Sequence, residues 1–454
     1  METTIAAIST ALLSAGIGVV RISGTDAFTV ADKVFRANSG KPVSKMRGYT
    51  SALGRVFDGQ NNAIDEAVCQ IFCAPKSYTG EDVAEISCHG SVWILQKTWR
   101  LCLENGAHPA SPGEFTKRAF LNGKLSLTQA EAVMHLISAG GESAAKAALL
   151  ARDGVISGRI YKITGKLVEQ SAFLAAWADF PEEDLEALDA GLLMNTLVSA
   201  CEEIEEMLRS YDAGKILRDG ILTVIAGRPN VGKSTLMNLL AGEDRSIVTD
   251  VPGTTRDIVE DTVRLGDFTL RLSDTAGIRK TDDTVESIGV LKAKLAIDAA
   301  ELVLAVFDSS DELSDDDNDL LLALSGRPCI AVINKIDLPL KLQADLIRAK
   351  IPHVVTISAK SGEGRDELLK ATEKLLGFTS FDPAAGIVMS ERQRLCLIKA
   401  GESLEDAKTA LSAGMTDAVG ACVDFAIDIL LELTGERASD RVIDEVFANF
   451  CVGK

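Results

Sequence analysis

The spacing of apolar residues changes character along the chain, and each change marks a segment. Residues 1–118 mix short strand-like runs with one helical stretch. Residues 16–24 read as a strand bounded by glycines, 67–72 and 83–87 as further strands, and 91–104 as a helix. The turn Ser111-Pro112-Gly113-Glu114-Phe115 leads out of this α+β unit. Helical spacing then takes over, with a helix starting at Leu127, alanine-rich stretches to Leu150, and further helices over about 156–178 and 191–213. The acidic Glu182-Glu183-Asp184 after Pro181 reads as a solvated helix start. Residues 218–378 alternate apolar strands (221–226, 269–274, 302–308, 329–334, 354–358) with helices, which predicts a doubly wound parallel sheet. The acidic run 309–319 reads as a solvated loop and helix cap. Helical text returns over 390–413, 416–434 and 439–450. The expected architecture is multidomain: an α+β domain at 1–118, then an all-α helical domain split into 119–217 and 379–454. An α/β domain at 218–378 is inserted between its halves.

Composition narrows the class. With 454 residues, 46% apolar and 25% charged, the chain has room for two to four ordinary globular domains. No apolar run approaches about 18 residues, and Met1-Glu2-Thr3-Thr4 does not open a secretory leader, so no membrane role and a cytoplasmic location are expected. The nine cysteines lack paired spacing; Cys69 and Cys73 lie in an apolar run and read as buried reduced thiols. His89, His108, His135 and His353 show no metal spacing and read as structural or solvated. A net charge of -19 argues against broad, sequence-blind nucleic-acid binding, yet leaves room for a local basic patch or for a nucleic acid held jointly with a partner.

Candidate chemistry centres on Gly227-Arg228-Pro229-Asn230-Val231-Gly232-Lys233-Ser234-Thr235. A buried strand precedes this glycine-rich turn and a helix start follows it, so backbone N–H groups converge on one point, as a phosphate requires. Lys233 would reach the β- and γ-phosphates and the Ser234 hydroxyl would ligate magnesium. Three more motifs follow, each closing a predicted strand. Asp274-Thr275-Ala276-Gly277 offers an aspartate toward magnesium and a backbone N–H at Gly277 for the γ-phosphate. Asn334-Lys335-Ile336-Asp337 offers a carboxylate that can accept from guanine N1–H and the exocyclic amine together, a pair of donors that adenine lacks. Ser358-Ala359-Lys360 supplies backbone contacts to the guanine carbonyl. The order and placement of these motifs assign GTP as the ligand. Between the first two lies Thr249-Asp250-Val251-Pro252-Gly253-Thr254-Thr255-Arg256-Asp257, placed as a switch segment that completes magnesium coordination. Where small signalling GTPases carry a water-orienting glutamine, this chain has Ile278. No arginine finger is assignable.

These motifs, with Gly18-Val19-Val20-Arg21-Ile22-Ser23-Gly24, Tyr78-Thr79-Gly80-Glu81-Asp82, the stretch 112–125 and the terminal Cys451-Val452-Gly453-Lys454, closely resemble the MnmE (TrmE) family of bacterial tRNA wobble-uridine modification GTPases. The resemblance spans essentially the whole chain. It implies that potassium replaces an arginine finger, held by Asn230 with oxygens of Thr249, Val251 and Thr254. A fixed cation there offsets developing charge with little reorganisation. It maps Ser234 and Thr255 to magnesium. Glu286, by itself a solvated helix-start glutamate, maps to the residue that orients the attacking water indirectly. The N-terminal domain is similar to a tetrahydrofolate-binding fold, so Arg21, Glu85, Lys124 and Lys454 map to contacts with a 5-formyl- or methylene-tetrahydrofolate; by themselves Arg21 and Lys124 are ordinary surface pairs. Cys451 maps to a terminal thiol needed for modification. The resemblance further implies a homodimer through the N-terminal domains, tRNA as substrate, and an MnmG-like, FAD-carrying and NADH-using partner in a heterotetramer. Residues 9–15 depart from the proline- and glycine-rich loop common in the family, Ser91 follows Cys88-His89-Gly90 where glycine is common, and Ser390 replaces a usual asparagine. The rival expectation is a switch GTPase for ribosome or RNA assembly without modification chemistry. It accounts for 218–378 but leaves both flanks idle. A membrane-associated GTPase is a third, weakened by the lack of any anchor.

Overall fold

In the computed structural model the described residues are 3–179, 189–241, 261–266, 268–272, 295–377, 386–448 and 450–453. They fall into two compact units, one of Met1–Met134, Ala151–Glu205 and Glu391–Lys454, the other of His135–Leu150 and Glu206–Ser390.

The first unit contains a seven-stranded sheet in the order β3-β4-β5-β6-β2-β1-β7. Its strands are β1 (Ile5–Ile8), β2 (Ala15–Ser23), β3 (Phe35–Ala37), β4 (Thr50–Phe57), β5 (Ala63–Phe72), β6 (Val83–Gly90) and β7 (His108–Pro109). All neighbours are antiparallel except β1 with β7. One face is dry: Ala67, Cys69 and Ile71 of β5 and Ala84, Ile86 and Cys88 of β6 pack with helices Ala27–Val34 and Val92–Glu104. The second helix places Leu95, Thr98 and Cys102 inward at three- and four-residue spacing, the stripe of an amphipathic helix. Sequence spacing identified β2, β5, β6 and this helix. Strand β4 escaped it because glycine, serine and arginine interrupt its run, although Gly54 is what admits β3: a Cβ there would stand 2.1 Å from the Arg36 carbonyl oxygen.

A helical layer completes this unit. Helices Glu391–Ser412 and Thr416–Thr434 form a hairpin whose buried Leu397, Ala400, Leu404 and Ala407 face Val419, Val423, Ala426 and Leu430. A smaller core joins Leu127 and Ala130 to Ile443, Phe447 and Phe450. Glu131, on helix Leu127–Ile137, accepts from Arg392 Nε at 2.8 Å, Arg392 Nη2 at 3.0 Å and Gln393 Nε2 at 2.7 Å. Burial would lower the Arg392 pKa, but the Glu131 carboxylate outweighs it and holds the guanidinium pKa up. No helix among the described residues is long and apolar enough to cross a membrane.

The second unit is built on a six-stranded sheet, β13-β12-β11-β8-β10-β9. Its strands are β8 (Ile221–Ala226), β9 (Asp261–Leu265), β10 (Phe268–Leu272), β11 (Leu302–Asp308), β12 (Cys329–Asn334) and β13 (Val354–Thr356). Every residue of β11 and β12 is buried, as expected of parallel strands covered on both faces. One correction applies to the all-parallel expectation: β9 runs antiparallel to β10 at the edge. Its residues Thr262 to Leu265 alternate, with Val263 and Leu265 inward, which suits an edge strand and not a buried one. The single helix expected over 191–213 is two, Ala190–Arg209 and Tyr211–Asp219. Ser210 interrupts them: its hydroxyl donates to Met207 O at 2.6 Å and accepts from Val388 N at 3.1 Å.

Replacing Glu131 by Ala is expected to lower the stability of the full chain by about 3 kcal/mol, because it strands a half-buried guanidinium. Urea denaturation checks this, and an unchanged midpoint would contradict it.

Candidate functional site

Strand β8 ends at Ala226, and the chain turns through residues 227–232 into helix Lys233–Ala241. Gly227 (φ +152°), Asn230 (φ +65°) and Gly232 (φ +100°) all take positive φ. At Gly232 a Cβ would come within 2.3 Å of Asn334 Nδ2, so the close approach requires glycine. Asn230 tolerates the left-handed region better than most side chains, and it is exposed at the loop surface. Lys233 Nζ lies across the loop, donating to the carbonyl oxygens of Gly227 at 2.6 Å and Arg228 at 2.8 Å. Burial holds its pKa below the usual lysine value, a cost that an anion in the cradle would offset. Ser234 and Thr235 stand exposed on the first helical turn.

The loop is braced from two sides. Arg228 Nη2 meets Asp311 Oδ2 at 2.7 Å, and its Nε lies 3.3 Å from Asp317 Oδ2. Asp317 also closes a capping box with Ser314 at the start of helix Asp315–Ala323. The acidic run was expected to be solvated; the cap is present, but Asp317 is buried. The reciprocal cap turns its carboxylate inward, and Arg228 supplies the compensating charge.

From the other side comes Asn334, the last residue of β12. Its Nδ2 donates to Val231 O at 2.9 Å and its Oδ1 accepts from Ala359 N at 2.9 Å. One buried carboxamide thus joins the phosphate loop to the Ser358-Ala359-Lys360 loop. Lys335, at φ +66°, donates from Nζ to Asp308 Oδ2 at 2.5 Å. Burial alone would raise the Asp308 pKa, but hydrogen bonds from Lys335 and Ser310 leave it lowered. Asp337 is exposed, and its Oδ1 accepts from Ser358 Oγ at 2.8 Å. That bond fixes the carboxylate while leaving lone pairs for two further donors.

Of the expected nucleotide residues, the structure gathers Asn230, Val231, Gly232, Lys233, Ser234, Thr235, Asn334, Lys335, Asp337, Ser358, Ala359 and Lys360 at the carboxyl ends of β8, β12 and β13. Thr249 to Thr255, Asp274 to Gly277, Glu286 and Lys454 lie outside the described residues.

A second cluster lies in the first unit. Arg21 on β2 and Glu85 on β6 are register partners, and Nε meets Oε1 at 2.7 Å. The guanidinium lies 5.7 Å from the Tyr78 ring centroid and 5.5 Å from that of Phe115. Its Nη1 also donates to Gly453 O at 3.3 Å. Gly453 (φ +96°) sits so close to β1 that a Cβ would stand 2.4 Å from Ile8 O. The Cys451 carbonyl accepts from Gly113 N at 3.3 Å, and its thiol side is exposed. Lys124 Nζ donates to Pro75 O at 3.0 Å, and its stem lies beside Gly80. Sequence reasoning missed Arg118, only 1% exposed, which bridges Glu81 Oε2 at 3.1 Å and Glu114 Oε1 at 2.9 Å and donates to Thr3 O at 2.7 Å. The four-residue Glu114–Arg118 spacing was its one available signal.

Comparison with known proteins places the chain in a family. A family model described as the GTP-binding protein TrmE N-terminus matches residues 4–124, and one described as the MnmE helical domain matches 127–451. A tRNA modification GTPase MnmE of Acetivibrio thermocellus is 39% identical over 458 residues, covering 100% of this chain and 99% of the relative. Its counterpart in Symbiobacterium thermophilum is 41% identical over 462 residues, covering 100% of both. The chain belongs to the MnmE/TrmE family. Among solved structures, the G domain of the T. maritima FeoB iron transporter is 26% identical with a TM-score of 0.27, over 34% of this chain and 98% of that one. The MnmE architecture here is a β-rich TrmE domain, a helical domain and the α/β sheet with its P-loop described above. Relatives at about 40% identity span both flanks, so the sheet of the second unit is one part of an MnmE-family chain and not a separate GTPase.

Asn334→Ala leaves the Val231 carbonyl and the Ala359 N–H without their partner, at about 1–3 kcal/mol for each buried group. GTP affinity measured by calorimetry is expected to fall by roughly tenfold to a hundredfold.

Proposed function

We propose that this chain is a potassium-stimulated GTP hydrolase that works with a flavin-dependent partner to build an aminomethyl or carboxymethylaminomethyl group on carbon 5 of the tRNA wobble uridine. The observation that carries the reading is the Asn334 bridge, which joins a phosphate cradle to a base-reading loop in a chain matched end to end by tRNA modification GTPases. Asp337 reads guanine, and Lys233 supplies charge to the β- and γ-phosphates. Ser234, exposed at the helix start, suits magnesium together with Thr255. The exposed carboxamide of Asn230 suits a potassium ion shared with Thr249, Val251 and Thr254. When bound, these cations supply positive charge for phosphoryl transfer. Glu286 orients water.

In the first unit, Arg21, Glu85, Lys124 and Lys454 hold a 5-formyl- or methylene-tetrahydrofolate that provides the one-carbon unit. Arg21 suits an anionic tail and Glu85 a pterin edge. Cys451, exposed on a tail whose backbone is pinned at Gly113 and Arg21, acts in the modification chemistry. The working assembly is a homodimer, joined by an MnmG-like partner that carries FAD, with tRNA as substrate. The domains are 1–118, 119–217, 218–378 and 379–454.

GTP turnover is expected to be several-fold faster in potassium than in sodium chloride; equal rates would remove the proposed cation site. Cys451→Ser is expected to keep GTP turnover while wobble-uridine modification disappears in tRNA nucleoside analysis of complemented cells. A fully modifying Cys451→Ser protein would sink the chemical role. In the same assay Asp337→Asn is expected to fail to restore modification, and restoration would contradict coupling to GTP.

A further inference from the structure

The whole chain carries 66 acidic against 47 basic residues, yet residues 33–57 hold Lys33, Arg36, Lys41, Lys45, Arg47 and Arg55 with no aspartate or glutamate. All six except Lys33 lie on or beside the edge strand β3 and its neighbour β4. A groove of about 330 Å³ opens there, lined by Lys41 and Arg47, the hydroxyls of Ser39, Thr50 and Ser51, and an apolar floor including Met46 and Leu53. Lys41, Lys45 and Arg47 are exposed. A neighbouring carboxylate, Asp32, is engaged: it accepts from Ser44 Oγ at 2.5 Å and Ser44 N at 3.3 Å, capping the turn Val43–Lys45. Beside the groove Tyr49 is 61% exposed, held at φ +60° with its ring edge-on to Phe72 at 5.9 Å and its hydroxyl on the Lys76 carbonyl. A bulky residue in the left-handed region, presenting its ring to solvent, is uncommon.

We propose that this groove is a docking site for the RNA phosphodiester backbone, with Lys41 and Arg47 as phosphate ligands and Tyr49 as a platform for an unstacked base. The proposal rests on the tRNA-modification reading above and places one contact with that substrate. Two cations flanked by hydroxyl donors are the set that takes phosphate oxygens, and an adjacent exposed aromatic is the set that takes single-stranded bases. Net charge does not oppose this. Fields are screened within about 8 Å at physiological salt, so an RNA strand in the groove meets Lys41 and Arg47 more strongly than the carboxylates elsewhere on the chain.

The test uses the full-length protein and an unmodified tRNA transcript carrying a wobble uridine, with affinity read by fluorescence anisotropy across a salt series. The double variant Lys41→Glu with Arg47→Glu is expected to weaken binding at least tenfold and to flatten the log affinity against log salt slope by about two. Tyr49→Ala is expected to weaken binding with the slope unchanged. Lys41→Arg with Arg47→Lys should restore the wild-type slope, and GTP turnover should stay unchanged in all variants. Wild-type affinity and slope in the charge-reversed protein would overturn the groove assignment alone. If the wild type hydrolyses GTP but does not bind the transcript, the tRNA reading falls and takes the groove with it. Loss of binding to anionic lipid vesicles with tRNA binding intact would also overturn the proposal.

Discussion

The second unit depends on a single side chain. The Asn334 carboxamide is both donor and acceptor, and each half is used, one on the phosphate loop and one on the loop after β13. Because the amide is buried, losing either bond exposes no water to replace it. The geometry of two loops far apart in sequence is therefore set by one rigid planar group at the end of a fully buried strand. Gly232 is the complementary constraint, since any side chain there would occupy the space of that amide.

Charge is handled by the same logic of paired groups. Arg228 spans Asp311 and Asp317, Lys335 meets Asp308, and Arg118 sits between Glu81 and Glu114. Each of these charges has an opposite partner, and Lys233, which has only carbonyl oxygens, is the exception left for an anion. Such pairs add little net stability, but they hold loops to one conformation. A phosphate cradle needs that restraint, because its ligands are backbone groups that no side chain can re-aim.

Much of this was legible in the sequence wherever one residue type admits one geometry. Glycine positions and apolar runs predicted the turn after β8 and the strands β8, β11 and β12, and the Asn-Lys-Ile-Asp motif falls at the end of β12 as expected. Strand β9 was not legible, because its alternating pattern needs the partner strand to show which face is inward. The inward turn of Asp317 was hidden for a related reason: six carboxylates in a run of eleven residues read as solvent-facing, and only the cap geometry singles one out. The Arg21–Glu85 pair and the seat of Gly453 depend on residues 64 and 432 positions apart, beyond any local pattern.

That seat has a consequence for biosynthesis. The sheet that carries Arg21 is made well before the peptide that caps it. Between Lys124 and Gly453 lie 453 − 124 = 329 positions, on the order of half a minute of translation at about 5–20 residues per second. Throughout that interval the nascent domain holds its strands without its final clasp. A chain that stopped short of Gly453 would keep its nucleotide-binding sheet and never finish the other site.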